Sequence, residues 1–228
     1  MNRAIIIMTK VPLAGNVKTR LQPFLSANEC AALAGAFLRD AARKAGAICE
    51  NVVIAFHPPS EIEKLGRITP GQFVFQEQNG DDLGTRMYNA FDFAFRRGSD
   101  SVVMLGTDSP TFPADFIERA FDLLQTDADA VLGKTTDGGF YLIGLRVWRK
   151  AIFENVLWSS PQTFEQTRRN IINLNLCLCE TPVWYDIDTP TDFERLRKEF
   201  LFDENARLCA PQTFELLQKW EKSWKPND

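Results

Sequence analysis

The sequence predicts an α/β fold: a mostly parallel central sheet covered by helices on both faces. Three observations carry that prediction. Strand-like and helix-like runs alternate almost from the first residue. The strand-like runs, such as "RAIIIMT" (3–9) and "SVVMLG" (101–106), are continuously apolar, as suits strands buried on both faces. Polar, glycine-bearing loops follow these runs directly, at the carboxyl ends of strands where such sheets bind ligands.

The elements follow in order. After the first strand, "SANECAALAGAFLRDAARKAG" (26–46) reads as a helix. Ser26 and Glu29 form an S-x-x-E capping box, and Gly46 offers a C-terminal stop. "NVVIAF" (51–56) and "QFVFQ" (72–76) are the second and third strands, with no element assigned between them. "LGTRMYNAFDFAFRRG" (83–98) carries Met87, Ala90, Phe91, Ala94 and Phe95 at helical spacing. "SVVMLG" is the fourth strand, and "PADFIERAFDLLQ" (113–125) a helix with Pro113 near its first turn. "DAVLGK" (129–134) and "FYLIGL" (140–145) are strands around a "TTDGG" turn. "PQTFEQTRRNIINLN" (161–175) reads as a helix, then "LCLCE" (176–180) and "VWYDIDTP" (183–190) as two further strand segments. Thr189 and Pro190 cap and open the next helix, and the tail holds one helix-like piece, "PQTFELLQKWEKSW".

Bulk composition narrows the function classes. A chain of 228 residues suits one domain of generous size, or one domain with additions. The net charge of -4 argues against a nucleic-acid partner, which favours a basic face. Apolar runs are strand-sized, so no membrane span is expected. The opening residues are too short for a secretory h-region, and a cytoplasmic protein is expected. Five cysteines, Cys30, Cys49, Cys177, Cys179 and Cys209, are an odd number in a chain of this size; buried reduced thiols are expected rather than a disulfide framework. His57 is the single histidine, in an expected loop before "PP", so any histidine-based triad would rest on it alone.

Five loops could carry chemistry. "KVPLAGNVKTRL" (10–21) follows the first strand with Gly15 and three cations, Lys10, Lys18 and Arg20, a natural polyphosphate cradle. It is not a P-loop, because Val17 stands where that motif has glycine. Asp108 in "GTDSP" sits at a buried strand's tip and suits a divalent metal, a ribose hydroxyl or simply a turn. In "DIDTP" (186–190), Asp186 and Asp188 are two apart in an extended segment, so their side chains point to opposite faces. One can join a site while the other supports the backbone. In "TTDGGFYLIG" (135–144), Asp137 precedes Gly138 and Gly139, which allow close backbone approach or form a plain hairpin turn. In "QNGDDLGTRM" (78–87), Gly84 could admit a flat ring at a helix start, and Arg86 could meet phosphate or acceptor. Trp158 and Trp184 are either a platform for an acceptor or core.

The motifs K-x-P-x-x-G-x-V-K-T-R-L, G-D-D-L-G-x-R-M, G-T-D-S-P, D-G-G-F-Y-L-I-G-L, W-S and D-I-D-T-P-x-D-F occur in that order. With them the sequence resembles the DUF2064 family of GT-A-type, nucleotide-diphospho-sugar-transferase-like proteins over residues 3–200. More distantly it is similar to the molybdopterin-cofactor nucleotidyltransferases and the phospholactate guanylyltransferases. The resemblance implies a three-layer α/β/α transferase domain over residues 1–202, with 203–228 as a C-terminal helical extension. It implies a nucleoside triphosphate or nucleotide sugar bound with Mg²⁺ or Mn²⁺. Lys18 and Arg20 would hold phosphates, with Lys10, Gly15, Arg86 and Thr107 in the same nucleotide-binding set. Leu83 and Gly84 would lie beside the base. Asp108 would be the first metal ligand and Asp188 the second, with Asp186 the alternative. Asp137, Gly138, Gly139 and Phe140, with Trp158, would face the acceptor. The N-terminal loop departs from the G-G-x-S-x-R-x-G pattern of related nucleotidyltransferases.

The expected reaction is nucleotidyl transfer to a small phosphorylated or anionic acceptor, with Lys18, Asp108 and Asp188 as the catalytic set. Such an acceptor needs no general base, which agrees with a chain holding one histidine. The alternative is glycosyl transfer from a nucleoside-diphosphate sugar, where Asp137 would be the base for an acceptor hydroxyl. T-D-S rather than D-x-D at 107–109 tilts the reading towards nucleotidyl transfer. A phosphatase reading of "DIDTP" fails on Pro190 and on the motif's late position. Non-catalytic nucleotide binding stays open. The C-terminal segment, with Trp220 and Trp224, could pack on the domain or on a second subunit, so a homodimer is among the expectations.

Overall fold

The apolar runs assemble into one sheet of seven strands: β1 (Arg3–Lys10), β2 (Val52–His57), β3 (Val74–Glu77), β4 (Ser101–Leu105), β5 (Ala130–Thr135), β6 (Phe140–Leu145) and β7 (Leu178–Trp184). The structure is a computed structural model and describes residues 2–22 and 24–224, without the side chains of 223 and 224. Strand order is β3-β2-β1-β4-β6-β5-β7. Six strands run parallel, and β6 is antiparallel to both β4 and β5. β6 reverses because "TTDGG" returns the chain directly as a hairpin, with no helix to carry a parallel crossover.

Two clusters of buried side chains fill the two faces of the sheet. On one face, Ile5, Ile7, Ile54 and Phe56 meet α1 (Ala27–Ile48), α2 (Ile62–Ile68) and α4 (Asp115–Thr126). On the other, Ala4, Ile6, Val53 and Leu132 meet α3 (Leu83–Arg96) and α5 (Thr163–Asn173). Alternate residues of each strand are thus buried on opposite faces, which is why β1 reads as an unbroken apolar run. A third cluster lies outside these layers. There Cys30, Leu33 and Phe37 of α1 pack on α6 (Pro190–Phe202), α7 (Glu204–Cys209) and α8 (Pro211–Trp224) through Phe193, Leu196, Ala206 and Leu217. α1 is therefore buried on two sides, between the sheet and the C-terminal helices.

Both predicted caps form. Ser26 with Glu29 and Thr189 with Asp192 each make a reciprocal capping box. Other readings change. α1 runs through Gly46 to Ile48, since that glycine keeps ordinary helical backbone and its missing side chain faces Phe73. Helices α2 and α7, at 7 and 6 residues, are shorter than the window over which a helical period is read. β7 is one strand rather than two, and it passes through Pro182 because it lies at the edge of the sheet. Residues 185–189 then leave the sheet as extended chain instead of continuing the strand. His57 ends β2 rather than lying in a loop. All five cysteines are free, but only Cys30 and Cys49 are buried; Cys177 is exposed, and Cys179 and Cys209 are partly covered. Trp220 packs on the third cluster, whereas the side chain of Trp224 and residues 225–228 lie outside the described residues.

The order of the strands reverses between β1 and β4. Two loops leave the sheet there side by side, 11–18 after β1 and 106–112 after β4. This is the topological switch point at which such sheets open a crevice.

Candidate active site

Asp108 stands at that switch point. Its backbone carbonyl accepts from Ile187 N–H at 2.9 Å, which draws the extended segment 185–189 across the end of β4. The same segment delivers Asp186 and Asp188. Asp188 faces Lys18, whose ammonium Nζ lies 3.0 Å from its Oδ1 and also ion-pairs with Asp108. A third acceptor, the carbonyl of Ile187, lies 2.8 Å from Nζ. Only 5% of the Lys18 side chain is exposed. Burial works against its charge, but the two carboxylates outweigh burial and hold the ammonium above its ordinary pKa. Lys18 also takes a left-handed backbone at φ 49°, unusual for a residue with a side chain. The sequence "GNVKTRL" thus turns tightly enough to send Lys18 inward, while Lys10 and Arg20 stay exposed.

Asp186 turns the other way, as two residues apart on extended chain must. Its carboxylate accepts from the Ser109 hydroxyl. Burial, then the nearby charge of Asp108, push its pKa up to about 7. Of the two candidates for partner to Asp108, Asp188 is the one joined to it through Lys18.

On the far side of Asp108, Asp137 tops the β5–β6 hairpin and is exposed. Its carboxylate accepts from Thr135 and from Gly139 N–H at 3.1 Å. Gly138 has φ 94°, and a Cβ there would fall 2.1 Å from the carbonyl oxygen of Pro161. Gly138 is thus a packing requirement of the turn, whereas Gly139 lines a cavity described below. Phe140 and Trp158 meet edge to face at 6.4 Å. A flat ring does lie against Gly84, but it is the protein's own: a Cβ on Gly84 would come within 2.7 Å of the Trp158 indole. Leu83 stays exposed beside it, and Arg86 donates Nε–H to Gly80 O at 2.9 Å.

Two adjoining cavities result. One, about 350 Å³, is lined by Lys10, Lys18, Arg20 and Arg86, with Leu83 and Thr107. The other, about 590 Å³, is lined by Trp158, Phe140, Gly139, Asp137 and Asp186. Asp108, Asp188 and Arg20 border both. Gly15 and Gly84 line the first cavity in neither case, and Gly138 does not line the second.

The donor set suits a hard divalent cation. The Asp108 and Asp188 side chains are 50% and 36% exposed, leaving carboxylate oxygens open to the cavities beyond those that Lys18 holds. Mg²⁺ commonly takes one or two carboxylates and completes its shell with water and phosphate oxygens. Among the described residues, no three His, Cys, Asp or Glu side chains gather as a protein-only metal cage.

Sequence reasoning missed Ser109, Asn16 and Gln78. Gln78 lines the first cavity, and its amide donates to Thr9 O at 3.0 Å and Ala55 O at 2.8 Å. Its signal was its place directly after β3. Ser109 was visible only as a turn residue, because its partner Asp186 is distant in sequence.

The family model described as "Uncharacterized protein conserved in bacteria (DUF2064)" matches residues 38–160. Among solved structures, a protein from Desulfovibrio desulfuricans G20, provisionally described as a nucleotide-diphospho-sugar transferase, is similar at 29% identity with a TM-score of 0.88. The match covers 97% of this chain and 96% of that one. A cytidylyltransferase from Leptospira borgpetersenii serovar Hardjo-bovis superposes at 15% identity and TM-score 0.56, covering 100% and 98% of the two chains. An inositol-1-phosphate CTP transferase from T. maritima superposes at 14% identity and TM-score 0.52, covering 93% and 96%. The latter two share the fold alone. No curated protein matches the chain. Among the described residues no helix is long and apolar enough to cross a membrane.

Proposed function

The chain belongs to the DUF2064 family, and on that premise we propose that it is a nucleotidyltransferase that takes a nucleoside triphosphate in the cationic cavity and an acceptor in the aromatic one. One observation carries the reading: two cavities of different chemistry share Asp108 and Asp188 as their common wall. A group moving from donor to acceptor would cross that wall.

Lys10, Arg20 and Arg86 would meet the phosphates, since they are the cations of the first cavity not already enclosed by carboxylates. Lys18 would do a different job. Held by Asp108, Asp188 and the Ile187 carbonyl, it fixes the two carboxylates relative to one another and lowers their mutual repulsion. Asp108 and Asp188 would hold Mg²⁺ or Mn²⁺ through their open oxygens; bound there, the ion would neutralise charge on the phosphates. An oxygen of the acceptor attacks the α-phosphorus, the bond from that phosphorus to the bridging oxygen breaks, and pyrophosphate leaves. Arg20 borders both cavities, so it would be the cation that an anionic acceptor meets.

A second reading is favoured by the acidic lining of the acceptor cavity. Asp137 and Asp186 offer carboxylates towards an acceptor hydroxyl, as glycosyl transfer from a nucleoside-diphosphate sugar would require. The products separate the two. Incubation with nucleoside triphosphates or nucleotide sugars, Mg²⁺ and a panel of phosphorylated and neutral acceptors should release pyrophosphate from a triphosphate. Release of nucleoside diphosphate from a nucleotide sugar would replace nucleotidyl transfer by the second reading.

A further inference from the structure

Behind the Asp108 loop, away from both cavities, α1 presents three polar side chains that the reaction does not use. Asp40 is fully buried and accepts from Gln212 N–H and Thr213 N–H, both at 2.9 Å, and from the Thr213 hydroxyl at 2.7 Å. It thereby satisfies the free amides at the start of α8. Arg43 donates to the carbonyls of Leu208 and Cys209, at 2.8 and 3.3 Å, at the end of α7. One turn along from Asp40, Lys44 is 3% exposed and turns to the sheet side. Its ammonium donates to Pro110 O at 2.7 Å and Phe112 O at 2.9 Å, and lies 4.0 Å from the centre of the Phe112 ring.

A buried lysine is costly to keep charged, and α1 could have packed here with an apolar side chain as it does at Leu38, Ala41 and Ala45. What the ammonium supplies is a pair of donors for two carbonyls of an irregular loop, close to the sheet end, that would otherwise be buried unpaired. Those carbonyls belong to the residues two and four beyond Asp108. On the opposite side the loop is held by Ile187 N–H on Asp108 O, by Ser109 on Asp186 and by Trp184 Nε1–H on Thr111 Oγ1 at 3.3 Å. Among the described residues, Lys44 is the one ionic side chain bonding the loop from the helix layer.

We propose that Lys44 is a positioning residue: by clamping the carbonyls of Pro110 and Phe112 it fixes where Asp108 stands relative to Asp188, and so sets the affinity of the carboxylate pair for its divalent cation. This rests on the metal-binding reading of that pair. Residues that orient ligands without touching the metal are commonly worth tenfold or more in affinity.

The test uses the full chain and two readouts besides turnover. The first is the Trp184 indole N–H resonance, assigned with Trp184→Phe, which reports the loop through its bond to Thr111. The second is Mn²⁺ binding in the presence of a nucleoside triphosphate. Lys44→Met should move the indole resonance and weaken Mn²⁺ by about tenfold or more. Lys44→Arg, which keeps the donors, should recover most of that loss. Arg43→Gln, which alters the contacts at the end of α7 and touches no loop residue, should bind Mn²⁺ as the parent does. Lys44→Gln, too short to reach both carbonyls, carries the same prediction as Lys44→Met and replaces it if that variant does not fold. Parent-like Mn²⁺ binding in both Met and Gln variants would overturn the role of Lys44 alone, and equal weakening in Arg43→Gln would reduce it to general packing. Absence of Mn²⁺ binding in the parent chain would overturn the metal reading and the inference with it.

Discussion

The two cavities on either side of Asp108 differ in what they can hold. The first has four cations on its wall, Lys10, Lys18, Arg20 and Arg86, against two carboxylates. The second has Arg20 alone against four, Asp108, Asp137, Asp186 and Asp188. A polyanion such as a triphosphate is therefore favoured on the first side over the second before any specific contact forms. The aromatic pair Phe140 and Trp158 lies only on the second side. On the proposed reading, charge would sort donor from acceptor, with the carboxylates of the shared wall between them.

The change that should break both sides together is Asp108→Asn. It removes a charge from the shared wall and half of the proposed metal site, while the loop keeps its backbone bond to Ile187. Turnover should fall by about a thousandfold or more, with an unchanged circular dichroism spectrum. Lys18→Met should loosen the shared wall from the first cavity, the one that Lys18 lines. It leaves Asp108 and Asp188 facing each other without their shared cation, and triphosphate affinity should fall by about 2 kcal/mol, read by calorimetry. On the acceptor side, Trp158→Ala should raise the acceptor KM by about tenfold and leave triphosphate affinity near that of the parent.

How much of this was legible in sequence depends on distance along the chain. Asp108 announced itself, since an apolar strand ending in a single carboxylate is a local pattern. The capping boxes at Ser26 and Thr189 were equally local and form as read. Lys18 was visible as a cation in a phosphate-type loop, but its enclosure by Asp188 was not, because the partners are 170 residues apart. The same limit hid the ring on Gly84. The spacing showed that a ring could approach, and only the fold shows that Trp158 fills the space. Gly46 failed for a different reason: a glycine near a helix end is a stop only if the backbone there turns left-handed, and at Gly46 it stays helical.

The smallest effect concerns a group in neither cavity. Burial lowers the pKa of Lys44 to about 8, against the opposing pull of Cys209 and Asp40. Unfolded lysine keeps its proton to about pH 10.4. Between about pH 8 and 10 the unfolded chain therefore binds more protons, and native stability rises with pH through this group. The gain should be about 1 kcal/mol from pH 8 to pH 9, taken as the difference between the parent and Lys44→Met in urea unfolding, where shifts common to both chains cancel.

The most direct test of the central claim is thermal melting of the purified chain with each common nucleoside triphosphate and nucleotide sugar, with Mg²⁺ and with a chelator, beside Asp108→Asn. At 100 times its dissociation constant a ligand stabilises the native state by about 2.7 kcal/mol. The account predicts a Mg²⁺-dependent rise in Tm with at least one triphosphate, absent with chelator and absent in Asp108→Asn. No rise with any nucleotide, or a rise that Asp108→Asn leaves intact, would contradict it.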